Sequence, residues 1–355
     1  MRKVAVITPS KAYEVFIDRG ILAKSGEVIS EVCGVSDGNK VMLVSDNVVD
    51  GLYGDTVIKS LESVGFSVSR FTFANGEQSK TMATYSALLD KLAEENLTRS
   101  DLIVALGGGV VGDLAGFAAA TYLRGVRLIQ VPTTLLSMVD SAVGGKTGVN
   151  LSSGKNQVGA FYQPSLVLCD VSTLATLPEI NYADGVAEII KHAVIRNSRL
   201  FEILESPPIT DMSEVIARNV EIKRDIVVLD ERDTGIRQLL NFGHTIGHGI
   251  EKFSGYTVTH GHAVAIGMSI VSRGAFRTGL CDESCYSRIV EMLQRYGLPT
   301  DTDIPAEKLI KAAFSDKKRV GDSITLVLPE RIGKCSLRGF SMNGLADFVR
   351  LSISS

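Results

Sequence analysis

Short apolar runs alternate with amphipathic stretches along the first half of the chain. Five runs rich in β-branched residues predict strands, at residues 41–46, 66–73, 101–106, 127–132 and 165–170. The stretches between them repeat apolar residues with helical spacing, at residues 56–65, 81–97 and 110–123. Strands that alternate with helices of this length predict βαβ units and a parallel, mostly buried sheet.

The second half carries helical periodicity almost throughout, at residues 183–205, 213–230, 237–253, 263–279 and 283–297. A late pair of β-rich runs within residues 323–339 predicts a small hairpin. The pattern changes within TLATLPEINYAD, residues 173–184. We therefore expect an α/β domain over residues 1–178 and an all-α domain over residues 179–355.

Composition and charge are those of an ordinary globular protein, with 45% hydrophobic and 22% charged residues. The net charge of −3 gives no electrostatic reason to expect nucleic acid or an anionic membrane as a partner. No apolar run reaches membrane-spanning length, and the first residues hold too few apolar positions for a secretory leader. The five cysteines are odd in number and widely spaced, which predicts reduced thiols in a cytoplasmic protein.

A glycine-rich motif, LGGGVVGDLAG, follows the predicted strand 101–106 and opens a predicted helix. Gly107, Gly109 and Gly112 fit G-x-G-x-x-G, which lets a pyrophosphate approach the backbone at a helix N-terminus. The motif alone also occurs in turns that bind nothing. It follows the third predicted strand, and Asp46, at the end of the first, is the candidate for the ribose contact. The pattern predicts a Rossmann-like nucleotide-binding domain.

The next segment, residues 131–161, is rich in glycine and serine and contains Asp140, Lys146, Lys155 and Asn156. Such a composition makes a poor helix and a poor strand, so we expect a loop. The loop would present two ammonium groups and a carboxylate to a charged ligand. The alternative is a solvated loop with ordinary surface charges.

Four of the five histidines fall within nineteen residues of each other: His244, His248, His260 and His262. The first two are four residues apart and share a helix face, as do Glu188 and His192 on an earlier predicted helix. One carboxylate and two imidazoles with an open position make a catalytic zinc-type ligand set, which leaves a further histidine for proton transfer. The alternative is amphipathic helices with incidental histidines. Arg237 and Asn241 would share a helix face with His244, as an anionic, hydroxylated substrate requires.

Six motifs occur in order between about residue 40 and about residue 330: GGGVVGDLAGFAAATYLRG, VPTTLLSMVDSAVGGKTGVN, GKNQVGAFYQP, GVAEIIKHA, LNFGHTIGHGIE and HGHAVAIGM. Together they resemble the 3-dehydroquinate synthase family over nearly the whole chain. The resemblance implies an NAD-binding α/β domain and a helical domain that binds a divalent metal, zinc or cobalt. It also implies a cytoplasmic homodimer.

The resemblance also implies roles for individual residues. The residues that match the metal ligands are Glu188, His244 and His260. Those that match the NAD contacts are Asp46, Glu77, Lys80, Gly109, Val110, Val111, Gly112, Asp113, Thr133, Thr134, Asp140, Lys146, Lys155 and Thr173. Those that match the substrate-binding and catalytic residues are Arg124, Lys146, Asn156, Lys191, Lys223, Arg237, Asn241, His248 and Lys317.

The chain departs from the family pattern at two places. It has His260-Gly261-His262 where the family commonly has HGE, and Asn75-Gly76-Glu77 where the family commonly has DGE. The first departure leaves open whether His260 or His262 is the third metal ligand. The second removes a carboxylate near the nucleotide.

The implied reaction converts 3-deoxy-D-arabino-heptulosonate 7-phosphate into 3-dehydroquinate and phosphate, a step of aromatic amino-acid biosynthesis. It proceeds by transient oxidation with NAD, β-elimination of phosphate, re-reduction and intramolecular aldol closure. One alternative is a related sugar phosphate cyclase, against which Arg237 and Asn241 favour a carboxylated substrate. Another alternative is a metal-dependent polyol dehydrogenase, which would not need the phosphate site that Lys146 and Lys155 suggest. A non-enzymatic binding protein would have lost ligands or lysines, and none is lost.

Overall fold

The computed structural model describes residues 1–34, 38–206, 209–314 and 323–353. Lys317, a predicted substrate-binding residue, lies outside these ranges. The chain forms two compact units. The first comprises Met1–Leu177 and Met212–Arg232, and the second comprises Pro178–Asp211 and Asp233–Ser355. Among the described residues, no helix is both long and apolar enough to cross a membrane.

The first unit is built on a seven-stranded sheet with the order β1-β2-β9-β6-β5-β3-β4. Its strands are β1 Arg2–Ile7, β2 Ala12–Asp18, β3 Lys40–Asp46, β4 Ser67–Phe73, β5 Leu102–Gly107, β6 Arg127–Pro132 and β9 Leu166–Asp170. All neighbouring strands are parallel except β1, which pairs antiparallel with β2. The five predicted strands are confirmed as β3, β4, β5, β6 and β9. Strands β1 and β2 are not among the predicted strands.

Helices cover the sheet of the first unit: α1 Ser25–Cys33, α2 Asn47–Val49, α3 Asp55–Glu62, α4 Met82–Glu94, α5 Gly109–Thr121 and α8 Met212–Leu229. Successive residues of β5 serve two apolar cores. Val104 belongs to one core together with Leu61 of α3, and Ile103 belongs to the other together with Leu88 of α4. A strand whose side chains alternate between two cores is buried on both faces, as the uninterrupted apolar runs predict.

Helix α8 lies in the second half of the sequence but folds with the first unit. It packs on β1 and β2. Its apolar residues Val215, Val220 and Val227 are fully buried. The predicted boundary at residue 178 places this helix in the second domain. Helical periodicity shows that the helix has an apolar face, but it does not show which part of the protein covers that face.

The segment predicted as a lysine-rich loop is largely ordered secondary structure, so that prediction is wrong. It contains a helical turn at Ser137–Ser141 and an antiparallel hairpin of β7 Lys146–Leu151 and β8 Gly154–Phe161. A Cβ at Gly148 would lie 2.5 Å from the Val158 carbonyl oxygen, and one at Gly159 would meet the backbone of Thr147. The glycines therefore permit this close pairing, although they weaken the sequence signal for a strand.

The described residues of the second unit form helices and one hairpin. The helices are α6 Glu179–Arg196, α7 Ser198–Glu205, α9 His244–Phe253, α10 His260–Arg277, α11 Glu283–Arg295, α12 Ala306–Phe314 and α13 Met342–Ile353. The predicted hairpin is confirmed as β10 Ser323–Arg331 and β11 Lys334–Ser341. The part of this unit that the structure describes is therefore mainly helical.

Two predicted helices of the second unit are interrupted. Extended backbone at Asn197 separates α6 from α7. Residues 237–253 divide into a short 3₁₀ helix, Ile236–Asn241, and α9, because Gly243 adopts a positive φ of 79°. Arg237 and Asn241 therefore do not share a helix with His244, and the prediction of one common face is wrong.

Candidate metal centre and nucleotide-binding edge

Glu188 occupies the buried middle of α6 and is 1% exposed. Lys191, one turn further along the same face, forms an ion pair with Glu188 Oε2. The other oxygen, Oε1, is buried without a hydrogen-bond partner among the described residues. A buried carboxylate oxygen of this kind is costly unless a cation or a donor satisfies it. The carboxylate is thus anchored through one oxygen and presents the other.

His244 is the first residue of α9, directly after the turn at Gly243. A Cβ at Gly243 would lie 2.6 Å from the Val264 carbonyl oxygen of α10, so only glycine allows this close approach. The His244 Nδ1–H donates to the Phe242 carbonyl oxygen at 3.2 Å. This bond leaves the lone pair on Nε2, which lies 3.7 Å from Glu188 Oε1.

His260 is the first residue of α10 and faces the same carboxylate oxygen. Its Nε2 lies 3.5 Å from Glu188 Oε1, and its Nδ1 lies 3.4 Å from Glu251 Oε2. Glu251 is buried on α9 and is not among the predicted site residues. Its spacing could have identified it, because a residue seven positions after His244 lies on the same face of a helix as that histidine and can support a metal ligand there.

Glu188, His244 and His260 bring one carboxylate oxygen and two ring nitrogens within 4.8 Å of one another, a group that fits a metal ion. Burial alone would lower the pKa of His260, but the Glu188 and Glu251 carboxylates raise it to about 10. The surroundings therefore favour a positive charge at this point. One carboxylate and two imidazoles suit zinc or cobalt rather than the all-oxygen sites of calcium or magnesium.

The remaining predicted residues of this unit surround the cluster or support it. His248 is exposed, and its ring centroid lies 5.6 Å from that of His244 and 6.3 Å from that of His260. His262 points elsewhere, with Nδ1 2.8 Å from Asp184 Oδ1. Arg237 is buried in the 3₁₀ helix, where Asn241 is half-buried. His248 is therefore the histidine that combines exposure with proximity to the cluster.

In the first unit, predicted NAD contacts lie where parallel strands end at one edge of the sheet. Asp46 ends β3, Thr133 and Thr134 follow β6, and Thr173 follows β9. After β3, the chain continues to β4 on one side of β3, and then returns to β5 on the other side of β3. The order of the strands therefore changes direction at β3. Ligands of parallel α/β sheets bind at such a change of direction, outside the carboxyl ends of the strands.

The glycine motif forms the connection from β5 to α5 at this edge. Gly108 is the N-cap, and no acidic residue occupies the first turn, which includes Val110 and Val111. Backbone N–H groups at the start of a helix and the positive end of its dipole favour a nearby anion. A Cβ at Gly112 would lie 2.7 Å from Gln130 Oε1, so this glycine lets α5 pack closely on β6.

Asp46 has a structural role at the same edge. Its Oδ1 accepts hydrogen bonds from the N–H groups of Val48 and Val49, both at 3.0 Å. The carboxylate is buried and caps helix α2. Only Oδ2 remains uncommitted to the cap, and a ribose contact would use that oxygen.

A polar network joins predicted NAD and substrate residues of the first unit. The buried Lys80 Nζ lies 2.5 Å from Asp113 Oδ2 and 2.6 Å from Asn156 Oδ1. Asn150, which is not among the predicted site residues, donates to Glu77 at 2.7 Å and accepts the Asn156 N–H at 2.8 Å. Asn156 itself has a positive φ of 53°. The network shapes the tip of the β7–β8 hairpin.

The other cationic residues predicted in this unit differ in exposure. Lys223 of α8 is buried and forms an ion pair with Asp140. Arg124 and Lys146 are exposed, and Lys155 is half-buried. Arg124 and Lys146 are thus accessible to an anion from solution.

The chain matches the family profiles of the 3-dehydroquinate synthase N-terminal region over residues 70–184 and C-terminal region over residues 185–319. A 3-dehydroquinate synthase of Lactococcus lactis subsp. cremoris (strain MG1363) is 42% identical over 357 residues, which cover 98% of this chain and 99% of the relative.

Two solved structures have closely similar folds. A 2-deoxy-scyllo-inosose synthase complexed with carbaglucose-6-phosphate, NAD+ and Co2+ has a TM-score of 0.88 and 25% identity, covering 98% of this chain and 99% of that one. The 2-epi-5-epi-valiolone synthase of Streptomyces hygroscopicus subsp. jinggangensis 5008, with NAD+ and Zn2+ bound, has a TM-score of 0.87 and 25% identity, covering 98% of both chains. The two profile matches and the extended identity show that this chain belongs to the 3-dehydroquinate synthase family.

Proposed function

We propose that the chain converts 3-deoxy-D-arabino-heptulosonate 7-phosphate into 3-dehydroquinate and phosphate, and is thus a carbon–oxygen lyase of the shikimate pathway. The proposal rests on the group of Glu188, His244 and His260, two buried residues and one half-buried, in a chain of this family. Relatives named for this activity are 42% identical over 98% of the chain.

Glu188, His244 and His260 would hold a divalent cation, zinc or cobalt. A bound cation would supply polarisation of a substrate hydroxyl, and bound NAD would supply reversible hydride transfer. The chain's own contribution is orientation. Lys191 anchors Glu188 Oε2, while the Phe242 carbonyl and the Glu251 carboxylate engage Nδ1 of the two histidines. Partners of this kind set the ring orientation and the ligand basicity.

NAD would bind along the carboxyl edge of the first unit's sheet. Its pyrophosphate would meet the first turn of α5, at Gly109, Val110, Val111, Gly112 and Asp113. Further contacts would come from Asp46, Glu77, Lys80, Thr133, Thr134, Asp140, Lys146, Lys155 and Thr173. The uncapped helix start and the close packing allowed by Gly112 support this placement.

Substrate groups would be bound by residues of matching charge. Arg124, Lys146 and Asn156 of the first unit would take the phosphate and stabilise the charge that develops as it leaves. Arg237 would supply a guanidinium for the carboxylate, and Lys223 an ammonium. His248, which is exposed beside the metal ligands, would move a proton between the substrate hydroxyl and solvent. Lys191, Asn241 and Lys317 would contact hydroxyl groups.

A related cyclase that acts on a phosphosugar without a carboxylate is the second candidate, because the two solved structures described above are sugar phosphate cyclases by name. Identity is 42% to the 3-dehydroquinate synthase of Lactococcus lactis but 25% to these two. The buried guanidinium of Arg237 also favours a carboxylated substrate. A dehydrogenase of similar fold would release reduced NAD.

The test incubates the purified protein with NAD, zinc or cobalt, and the heptulosonate phosphate, and follows phosphate together with reduced NAD. We expect phosphate release without net reduced NAD, since oxidation and re-reduction occur in one turnover. Glucose 6-phosphate serves as the matched substrate without a carboxylate. Turnover of glucose 6-phosphate alone would identify another cyclase, and stoichiometric reduced NAD would identify a dehydrogenase.

We further propose that the protein works as a cytoplasmic homodimer. All five cysteines, each within the described part of the chain, are free thiols, as a reducing compartment requires. The dimer rests on the family resemblance. Light scattering on the purified protein should give twice the mass of one chain, and a mass of 38.1 kDa would contradict the dimer.

A further inference from the structure

Asp184 of α6 binds the start of α10 through a single oxygen. Its Oδ1 accepts hydrogen bonds from the Thr259 hydroxyl at 2.6 Å, from the His262 backbone N–H at 3.1 Å and from His262 Nδ1 at 2.8 Å. The Asp184 side chain is 8% exposed and that of His262 is 20% exposed. We refer to Asp184, Thr259 and His262 as the clamp.

Helix α10 has no N-terminal cap from its own side chains, and Asp184 of the clamp caps it from α6. Thr259 is the N-cap of α10, and its hydroxyl points to Asp184. The third N–H of the helix, from His262, is satisfied by the carboxylate of Asp184 on another helix. A carboxylate at a helix N-terminus satisfies an otherwise unpaired donor and complements the helix dipole. Asp184 therefore stabilises this end of α10.

Close packing makes the contact between the two helices rigid. A Cβ at Gly261 would lie 2.3 Å from Asp184 Cα and 2.5 Å from the Asp184 carbonyl oxygen. The two backbones thus approach as closely as glycine permits. Side-chain hydrogen bonds and backbone contact coincide at the same turn of each helix, so the turns cannot slide past one another without losing both.

Both sides of the clamp lie next to proposed metal ligands. Asp184 lies one turn before Glu188 on α6, and His262 lies two residues after His260 on α10. We propose that the clamp sets the spacing of Glu188 and His260, and thereby the affinity for the divalent cation. Asp184 and His262 are positioning residues that do not ligate the metal. The inference rests on the proposed metal site, and on His262, where the family pattern commonly has glutamate.

The double variant D184A/H262E, compared with the single variant H262E, tests this arrangement most directly. H262E alone places a second carboxylate beside Asp184, so like charges would push the two helices apart. In D184A/H262E, the introduced carboxylate stands at the third residue of α10. There it can reach back to the N-cap N–H, as in a capping box with Thr259. The helix start is then stabilised from within, and part of the spacing is restored.

The experiment measures zinc affinity by chelator competition on the purified full chain, and the melting temperature of the metal-free protein. D184A and H262A should bind zinc about 10 to 100-fold more weakly than the unchanged protein. D184N keeps an acceptor oxygen and should lose less affinity than D184A. D184A/H262E should recover affinity relative to H262E. D282A is the control, because Asp282 caps α11 through the Cys285 N–H at 2.8 Å without touching the metal ligands.

Zinc affinities of D184A and H262A within twofold of the unchanged protein, or reduced no more than that of D282A, would overturn the clamp. Variants E188A and H244A separate this result from failure of the metal site. If they lose zinc and D184A does not, only the clamp is wrong. If they retain zinc as well, the proposed ligand set is wrong.

Discussion

Glu251 Oε2 lies 3.4 Å from Nδ1 of His260, whose other ring nitrogen lies 3.5 Å from Glu188 Oε1. One imidazole thus stands between two buried carboxylates on different helices. This arrangement sets which ring nitrogen faces the other proposed ligands. It also explains why the pKa of His260 rises to about 10 although burial alone would lower it.

Replacing Glu251 should therefore weaken the metal site without removing a ligand. E251Q keeps the size of the side chain but removes the charge that orients His260. We expect zinc affinity to fall about tenfold, with a similar loss of turnover at limiting metal. Chelator competition measures the affinity, and E202Q, at an exposed position on α7, is the control. Equal affinities for E251Q and E202Q would show that Glu251 does not act on the metal site.

The three proposed ligands should differ from the two neighbouring histidines in metal content at saturating cobalt. H244A and H260A should fail to reach one equivalent of metal, because three protein ligands are needed to hold the ion. H248A should bind a full equivalent and lose activity. H262A should also reach a full equivalent at excess metal, although with weaker affinity. Elemental analysis after removal of free metal decides the matter. Full occupancy in H260A with depletion in H262A would mean that His262 is the third ligand.

Lys146 should contribute far more to phosphate elimination than to NAD binding. K146A removes an exposed cation from the β7–β8 hairpin, where developing negative charge would need it. We expect turnover to fall on the order of 10² to 10³-fold. NAD affinity should change far less. Single-turnover phosphate release and NAD titration separate the two effects. K24A removes another exposed lysine and should behave like the unchanged protein. Unchanged turnover in K146A would make Lys146 an ordinary surface charge.

Asp101 should make the stability of the first unit depend on pH. Its buried carboxylate accepts hydrogen bonds from the Lys40 N–H at 2.8 Å, the Thr98 N–H at 2.7 Å and the Thr98 hydroxyl at 2.8 Å. Burial tends to raise the pKa of Asp101, but these hydrogen bonds lower it below its ordinary value. A lowered pKa in the folded state means stabilisation above the unfolded pKa of about 4, and loss of that stabilisation as pH falls through the folded pKa.

The substitution D101N should reduce the free energy of unfolding by about 1.5 to 3 kcal/mol at pH 7. The difference from the unchanged protein should shrink as the pH falls through the folded pKa of Asp101, which lies below the ordinary value of about 4, because the unchanged carboxylate then also becomes neutral. Urea unfolding at a series of pH values measures both. D90N, at an exposed position on α4, should show no difference at any pH. A D101N effect that stays constant with pH would indicate a packing role instead of a charge role.

Much of the fold follows from local patterns in the sequence. The five predicted strands and the late hairpin are present because β-branched runs bounded by turn residues have few alternatives in a folded chain. The hairpin β7–β8 is not predicted by such patterns. Gly148 and Gly159 weaken the strand signal, yet they permit a pairing in which a Cβ would collide with the opposite backbone. The need for glycine at these positions arises only from the packing of the two strands against each other.

The sequence by itself determined that histidines and Glu188 would gather, that α9 would carry His244 and His248 on one face, and which family the chain belongs to. Only the tertiary structure decided how His260 and His262 differ. They stand two residues apart on α10, so they point to different sides, and the choice depends on whether Glu188 or Asp184 of α6 lies opposite. Periodicity determines a side chain's direction about its own helix axis. The partner it meets depends on how a distant helix packs, which no local pattern encodes.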